Sequence, residues 1–310
     1  MTDNVKVLAD GLGMGESVRW HDERTWLCDW GAGKLLAIGD GGDRETVEGL
    51  GDVIPWTVDW LADGTMLIVP RGKSSLMRVS RTGTVSVHTE LGEVAPQGCN
   101  EMVADGRGNI YLNTIGYDMM AGEAPRTGTV ILVSADGSVR QVANDVHFPN
   151  GMAVTSDGST LVLAESHANR LTAFTIEPDG SLSGRRVWAD LGRGTPDGIC
   201  MDREDAVWYA PAGPDRRNLH IAATIWQGAE TYTADPPTGR LLSITDPRYR
   251  FCAPQPSGCR ERVAAGEGDE FGLEIRVVGD GHAGAVVAAG PKDLVDGLHP
   301  FVHAGDQGGV

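Results

Sequence analysis

The chain has no long apolar run and no stretch of sustained helical periodicity over its 310 residues. The first lack excludes a membrane-spanning helix, which needs about 20 consecutive apolar residues. The second sets aside bundles and other all-helical folds. Basic residues are scarce: 26 Lys and Arg stand against 43 Asp and Glu, a formal net charge of −17. No cluster of basic side chains offsets that charge, so phosphate backbones are repelled and nucleic acid is excluded as a partner. Cysteines are few, scattered and odd in number: Cys28, Cys99, Cys200, Cys252 and Cys259. None has CxxC spacing, so neither a disulfide framework nor a thiolate metal site is expected. The opening stretch, "MTDNVKVLADGLGMGESV", lacks the apolar core of a signal peptide, and a cytoplasmic location is expected.

What the chain does have is glycine, 43 residues of it, and a repeat. "SVRWHDERTWLCDWGAGKLLAI", "TVDWLADGTMLIVPRGKSSLMRV" and "GMAVTSDGSTLVLAESHANRLTAF" share one plan. Each reads as an alternating strand, an Asp-led turn, a second strand, a loop and a third strand. "EMVADGRGNIYLNTIG" with "GTVILV" is the same unit carrying an insertion, and "GICMDREDAVWYA" begins another. The turn residues Asp22, Asp63, Asp105, Asp157 and Asp202 follow one another at separations of 41, 42, 52 and 45 residues. Short strands at that period predict an all-β fold, a six-bladed β-propeller with four strands per blade. An open β-solenoid is the alternative, but its repeats are usually shorter. The pattern fails after Tyr209: the next turn residue, Asp215, follows Asp202 by only 13 residues. Blades five and six are therefore expected to be irregular or incomplete. The expected organisation is a propeller domain over 1–246 and a divergent C-terminal segment over 247–310. Within that segment "RERVAAG", "LEIRVVG" and "GAVVAAG" are candidate strands that complete the ring.

A repeat makes positions comparable between blades. Counting back from each turn aspartate to the first residue of the innermost strand gives Glu16, Thr57, Asn100, Asn150 and Asp197. In a ring these side chains converge at one mouth of the central channel, where ligands meet such folds. Converging carboxylates repel, and a bound cation relieves the repulsion. Oxygen donors alone point to a hard divalent ion, Ca²⁺ first, with Mg²⁺, Mn²⁺ or Zn²⁺ as alternatives. Glu16, Asn150 and Asp197 are the candidate metal ligands.

The stretches "GESVRW", "CNEMVADGRGNIYLN", "FPNGMAVTSDGSTLVLAES" and "TPDGICMDREDAVWYA" resemble the senescence marker protein (regucalcin)/gluconolactonase/luciferin-regenerating enzyme family. The resemblance runs from about residue 12 to 210 and resumes over about 213–246. It implies a six-bladed propeller with one divalent metal at the channel and hydrolysis of sugar lactones. It also implies that Glu16, Asn150 and Asp197 ligate the metal, that Asn100 contacts substrate, and that Asn113 faces the pocket. Two positions depart from the family pattern: Gly98 stands where some members carry an Arg, and Glu101 follows Asn100 where Asp is usual.

These readings give a metal-dependent lactonase acting on a small-molecule lactone, with Asp197 as general base and Asn100 and Asn113 holding substrate. A non-catalytic metal- or partner-binding propeller, and an ester or phosphotriester hydrolase on the same scaffold, remain the alternatives. His147 and Glu165 are secondary site candidates. Trp20, Trp26, Trp30, Trp56 and Trp60 read mainly as blade packing, with Trp56 beside the channel position. Ser17 and Ser166 lack a nucleophile elbow, which argues against a serine hydrolase.

Overall fold

The computed structural model describes residues 5–192, 194–202, 205 and 207–211, together with the strand segments 222–223, 239–244, 251–252, 273–278 and 286–289. Strand β1 (Val5–Leu12) precedes four antiparallel four-stranded sheets. The first is β2 (Gly15–His21), β3 (Arg24–Asp29), β4 (Lys34–Ile38) and β5 (Arg44–Thr46). The second is β6 (Pro55–Trp60), β7 (Met66–Pro70), β8 (Ser75–Val79) and β9 (Val85–Glu90). The third is β10 (Glu101–Ala104), β11 (Ile110–Thr114), β12 (Gly128–Val133) and β13 (Val139–Val146). The fourth is β14 (Pro149–Val154), β15 (Thr160–Glu165), β16 (Arg170–Ile176) and β17 (Leu182–Asp190). In each sheet, strand order equals chain order, the signature of a propeller blade.

A fifth inner pair follows, β18 (Pro196–Asp202) and β19 (Val207–Pro211). Beyond it come β20 (Ala222–Ala223), β21 (Gly239–Ile244), β22 (Phe251–Cys252), β23 (Leu273–Val278) and β24 (Val286–Ala289). β19 pairs with β23 and β23 with β24, while β22 adds to the free edge of β18. β1 pairs with β21, and β21 with β20. "LEIRVVG" and "GAVVAAG" thus fall on strands. "RERVAAG" and the turn residue Asp215 lie outside the described residues. The fold is an all-β propeller with four regular blades. The expected count of six goes beyond those four. No helix among the described residues is long and apolar enough to cross a membrane.

The hairpin turns explain the repeat. The side chains of Asp63, Asp105, Asp136, Asp157 and Asp179 accept the backbone N–H two residues on, from Thr65, Arg107, Ser138, Ser159 and Ser181, at 2.8–2.9 Å. This Asx geometry mimics a backbone turn. Alternation then buries one face of each strand against the next blade. Leu67, Leu76, Met102, Leu112 and Ile131 fill the space between blades two and three. Tyr111, Leu132, Leu161, Leu163 and Phe174 fill that between three and four. Val162, Ala164, Leu171, Met201 and Tyr209 join blade four to the β18–β19 pair. Leu8 and Leu12 of β1 pack on blade one. The tryptophans belong to this packing at the junction of blades one and two: Trp30 stacks on Trp56 with ring centroids 3.4 Å apart, and Trp26 meets Trp60 edge-on at 5.1 Å.

Candidate functional site

Four inner strands, β2, β6, β14 and β18, share a defect that β10 lacks. Along β2 the ladder pairs Glu16 with Cys28 and then Arg19 with Trp26, so the inner strand carries one extra residue. The same extra residue occurs between Pro55 and Thr57 in β6, between Pro149 and Met152 in β14, and between Pro196 and Ile199 in β18. A β-bulge at the start of a strand re-aims side chains that would otherwise alternate between faces. Asn150 and Asp197 lie inside these bulges, and Glu16 stands at the edge of its own. The bulge in β2 holds Ser17 at a φ of 50°, in the left-handed region.

Neighbouring loops fix each ligand position. The Asp29 carboxylate is fully buried and accepts the N–H groups of Gly13, Met14 and Ala32 at 3.0–3.1 Å, pinning the turn that leads into Glu16. Asn100 donates its Nδ2 to the Pro149 carbonyl at 3.1 Å, and Asn113 donates its Nδ2 to the Asn150 carbonyl at 2.8 Å. Asn150 turns its own Nδ2 toward Ser166 Oγ at 3.4 Å, which leaves Oδ1 on the other side of the amide. Ser166 Oγ donates in turn to the Pro196 carbonyl at 2.6 Å, next to Asp197. The glycine of "FPNGM" serves close approach. A Cβ on Gly151 would lie 2.7 Å from the Asp197 carbonyl oxygen and 2.5 Å from the Ile199 nitrogen.

The electrostatics follow from this convergence. Burial raises the pKa of Glu16 well above its ordinary 4.5, and the negative charges of Asp197 and Glu101 raise it further. Glu16 and Asp197 are therefore brought together across the ring although 181 positions separate them in sequence. Glu101 is held by Arg19, whose Nη2 donates to Oε1 at 3.0 Å, and by the hydroxyl of Thr57. Thr57 is thus engaged with Glu101, and its hydroxyl proton is committed there. Among the described residues no three His, Cys, Asp or Glu side chains form a metal-holding group. The candidate set contains only two carboxylates and depends on an amide oxygen for its third donor. One buried acceptor stands without a hydrogen-bond partner beside that set: Asn113 Oδ1, in a residue with no exposed surface. Two repelling carboxylates and an orphaned amide oxygen in an all-oxygen surround fit a hard divalent cation.

The secondary candidates fall elsewhere. His147 is exposed, and its backbone N–H donates to Glu165 at 2.8 Å. Glu165 is fully buried and faces Arg170 at 2.9 Å and Arg185 at 3.2 Å, so it is a structural carboxylate tying β15 to β16 and β17. Burial pushes the Cys28 thiol up and raises the Cys99 thiol to about 12, which suits neither to nucleophilic attack. Gly98 adopts a φ of 84° and abuts the Lys73 backbone, an arrangement closed to the arginine that some relatives carry.

Sequence reasoning named Thr57 and Glu101 but missed Arg19, which joins Glu101 from another blade. No signal in the residues marks it, because the extra residue in β2 looks like ordinary spacing.

Comparison with known proteins places this geometry. The model of the SMP-30/Gluconolactonase/LRE-like region matches residues 14–241, nearly three quarters of the chain. The chain belongs to this family. Pentonolactonase XacC of Haloferax volcanii is 25% identical over 178 residues, covering 56% of each protein. Diisopropyl-fluorophosphatase of Loligo vulgaris is 26% identical over 129 residues, covering 38% of this chain and 41% of the phosphatase. The chain thus spans about half the length of these two curated relatives. Among solved structures, the calcium-binding protein regucalcin of Agrobacterium tumefaciens superposes with a TM-score of 0.57 at 22% identity, covering 67% of this chain and 71% of that one. That likeness speaks to the shared propeller fold.

Proposed function

We propose that this family member is a divalent-metal-dependent hydrolase that opens a lactone ring, with a sugar lactone (aldonolactone) as the substrate class. The observation that carries the reading is the electrostatic meeting of Glu16 and Asp197, each at an inner-strand bulge though far apart in sequence, with Asn150 in the bulge of the strand beside that of Asp197. We further propose a six-bladed ring in which β18, β19, β23 and β24 form one blade and β1, β21 and β20 contribute to another. In that ring, residues 247–310 supply strands to the propeller of residues 1–246, and the protein works in the cytoplasm.

Glu16, Asn150 and Asp197 would hold the cation, Ca²⁺ by preference, and when bound it would polarise the lactone carbonyl and stabilise developing negative charge on its oxygen. Asp197 acts as general base: it accepts a proton from the attacking water as the new C–O bond forms. The ring C–O bond then breaks, and the alkoxide leaving group takes the proton back from Asp197, which gives the hydroxy acid and regenerates the carboxylate. Glu16 and Asn150 orient the site and take no proton. Asn113 Oδ1, which has no partner of its own, accepts a hydrogen bond from a substrate hydroxyl, while Nδ2 gives one hydrogen to the Asn150 carbonyl. Asn100 offers its carbonyl oxygen and its second Nδ2 hydrogen to substrate, the first being held by the Pro149 carbonyl.

The likeness to diisopropyl-fluorophosphatase supports a second reading, phosphotriester cleavage at the same site. A pH-stat assay over aldonolactones, aryl esters and phosphotriesters, with and without EDTA, separates them. EDTA-sensitive lactone turnover supports the first reading. Turnover confined to phosphotriesters or aryl esters supports the second. Calcium binding without any turnover would leave a non-catalytic propeller.

A further inference from the structure

Behind Glu16 lies a buried network that links three blades. Ser17 Oγ accepts the Val58 N–H at 3.0 Å, so its own proton goes to Thr57 Oγ1, 2.7 Å away. Thr57 in turn donates to Glu101 Oε1. The same oxygen accepts Arg19 Nη2 at 3.0 Å and the Met102 N–H at 2.9 Å. Arg19 is pinned as firmly: Nη2 also donates to the Met102 carbonyl at 3.0 Å, and Nη1 to the Val18 carbonyl at 3.1 Å. Both partners are largely shielded, with side-chain exposures of 19% and 13%. Glu101 opens β10 directly after Asn100 and opposite Asn113, so it sits at the level of the candidate ligands. Its negative charge acts on Glu16, and it is held in place by donors from blades one and two.

We propose that the Arg19–Glu101 pair is a charge lock that sets the cation affinity of the channel mouth, with Arg19 as a positioning residue that withholds Glu101 from coordination. The proposal rests on the reading of Glu16, Asn150 and Asp197 as a cation site. With the lock intact, a divalent ion meets two uncompensated carboxylates. Without Arg19 it meets three, and without Glu101 it meets two carboxylates and an unpaired guanidinium. The two deletions therefore act in opposite directions, as Coulomb's law requires in a shielded site. A merely structural role for the pair would weaken binding in both.

Titration of CaCl₂ into the purified full chain by calorimetry tests the lock. Arg19→Gln should bind calcium about tenfold more tightly than wild type and Glu101→Gln about tenfold more weakly. The double variant should return to within about threefold of wild type. If Arg19→Gln does not fold, the Glu101→Gln and double variants decide: weakening in Glu101→Gln that the double variant reverses supports the lock, and weakening that it does not reverse, or unchanged affinity in Glu101→Gln, overturns it. Calcium binding in wild type with Arg19→Gln unchanged or weaker overturns the lock alone. No calcium binding in wild type overturns the cation site and the lock together.

Discussion

Gly151 of blade four lies against the backbone of Asp197 in the following sheet, so closely that a Cβ there would sit 2.7 Å from the Asp197 carbonyl oxygen. Two candidate ligand positions, Asn150 and Asp197, are set side by side by the absence of one methyl group. Gly151→Ala should force the two inner strands apart. We expect a stability loss of about 1–3 kcal/mol by chemical denaturation, as for overpacked cores. We also expect about a hundredfold loss of lactone turnover, because the acid base and its neighbour lose register. Full turnover in Gly151→Ala would show that this close approach does not define the site.

Glu16 gives a pH signature. Its folded pKa is raised above the unfolded 4.5, so the folded state binds its proton more tightly. In metal-free protein, stability from this group is greatest below that unfolded value and falls as pH rises toward the folded one. Thermal melts in EDTA should therefore show a loss of stability as pH rises above the unfolded value of 4.5, and Glu16→Gln should abolish it. Added calcium should reverse the loss in wild type and not in the variant. A pH-independent melting temperature in EDTA would contradict the assignment.

Glu165 predicts the opposite sign. Burial pushes its pKa up, but the hydroxyl of Thr172, the His147 N–H and Arg170 outweigh burial and hold it below the ordinary value. Its contribution is present above the unfolded carboxylate range and lost as pH falls below it. Glu165→Gln leaves Arg170 and Arg185 facing an amide and should cost about 3 kcal/mol at pH 7. Calorimetric calcium affinity should stay within about twofold of wild type, since the Glu165 carboxylate is taken up by Thr172, Arg170, Arg185 and the His147 N–H.

Much of this was legible in the residues, and for definite reasons. Asp63, Asp105 and Asp157 recur because each closes a hairpin by the same side-chain bond, so period and blade type followed from them. Glu16, Asn150 and Asp197 emerged because the period makes positions comparable. The bulges were not legible, since one extra residue in a strand looks like ordinary spacing. Neither was the Arg19–Glu101 pair, which joins residues 82 positions apart in different blades. Glu165 reads as a secondary site candidate because it closes a second strand, yet its buried position against Arg170 and Arg185 depends on where β16 and β17 return. Beyond Tyr209 the outer partner of β19 is β23, a strand more than 60 residues further along, and no local period points to it.

Asn113 tests substrate contact. Its Nδ2 supports the Asn150 carbonyl, while Oδ1 is buried without a partner. Asn113→Ala should cost about 1–3 kcal/mol of stability, because a carbonyl is left unpaired. It should also lower kcat/KM for hydroxylated lactones about tenfold, and less for a lactone lacking ring hydroxyls. Equal losses on both substrates would assign Asn113 to support of Asn150 alone.

The most direct measurement is lactone hydrolysis by wild type and Asp197→Asn, each assayed in EDTA and after calcium is restored. The account predicts wild-type turnover that EDTA abolishes and calcium restores. It also predicts a folded Asp197→Asn protein at least about a hundredfold slower than wild type once calcium is restored. Turnover indifferent to EDTA, or an Asp197→Asn variant at near wild-type rate, would contradict it.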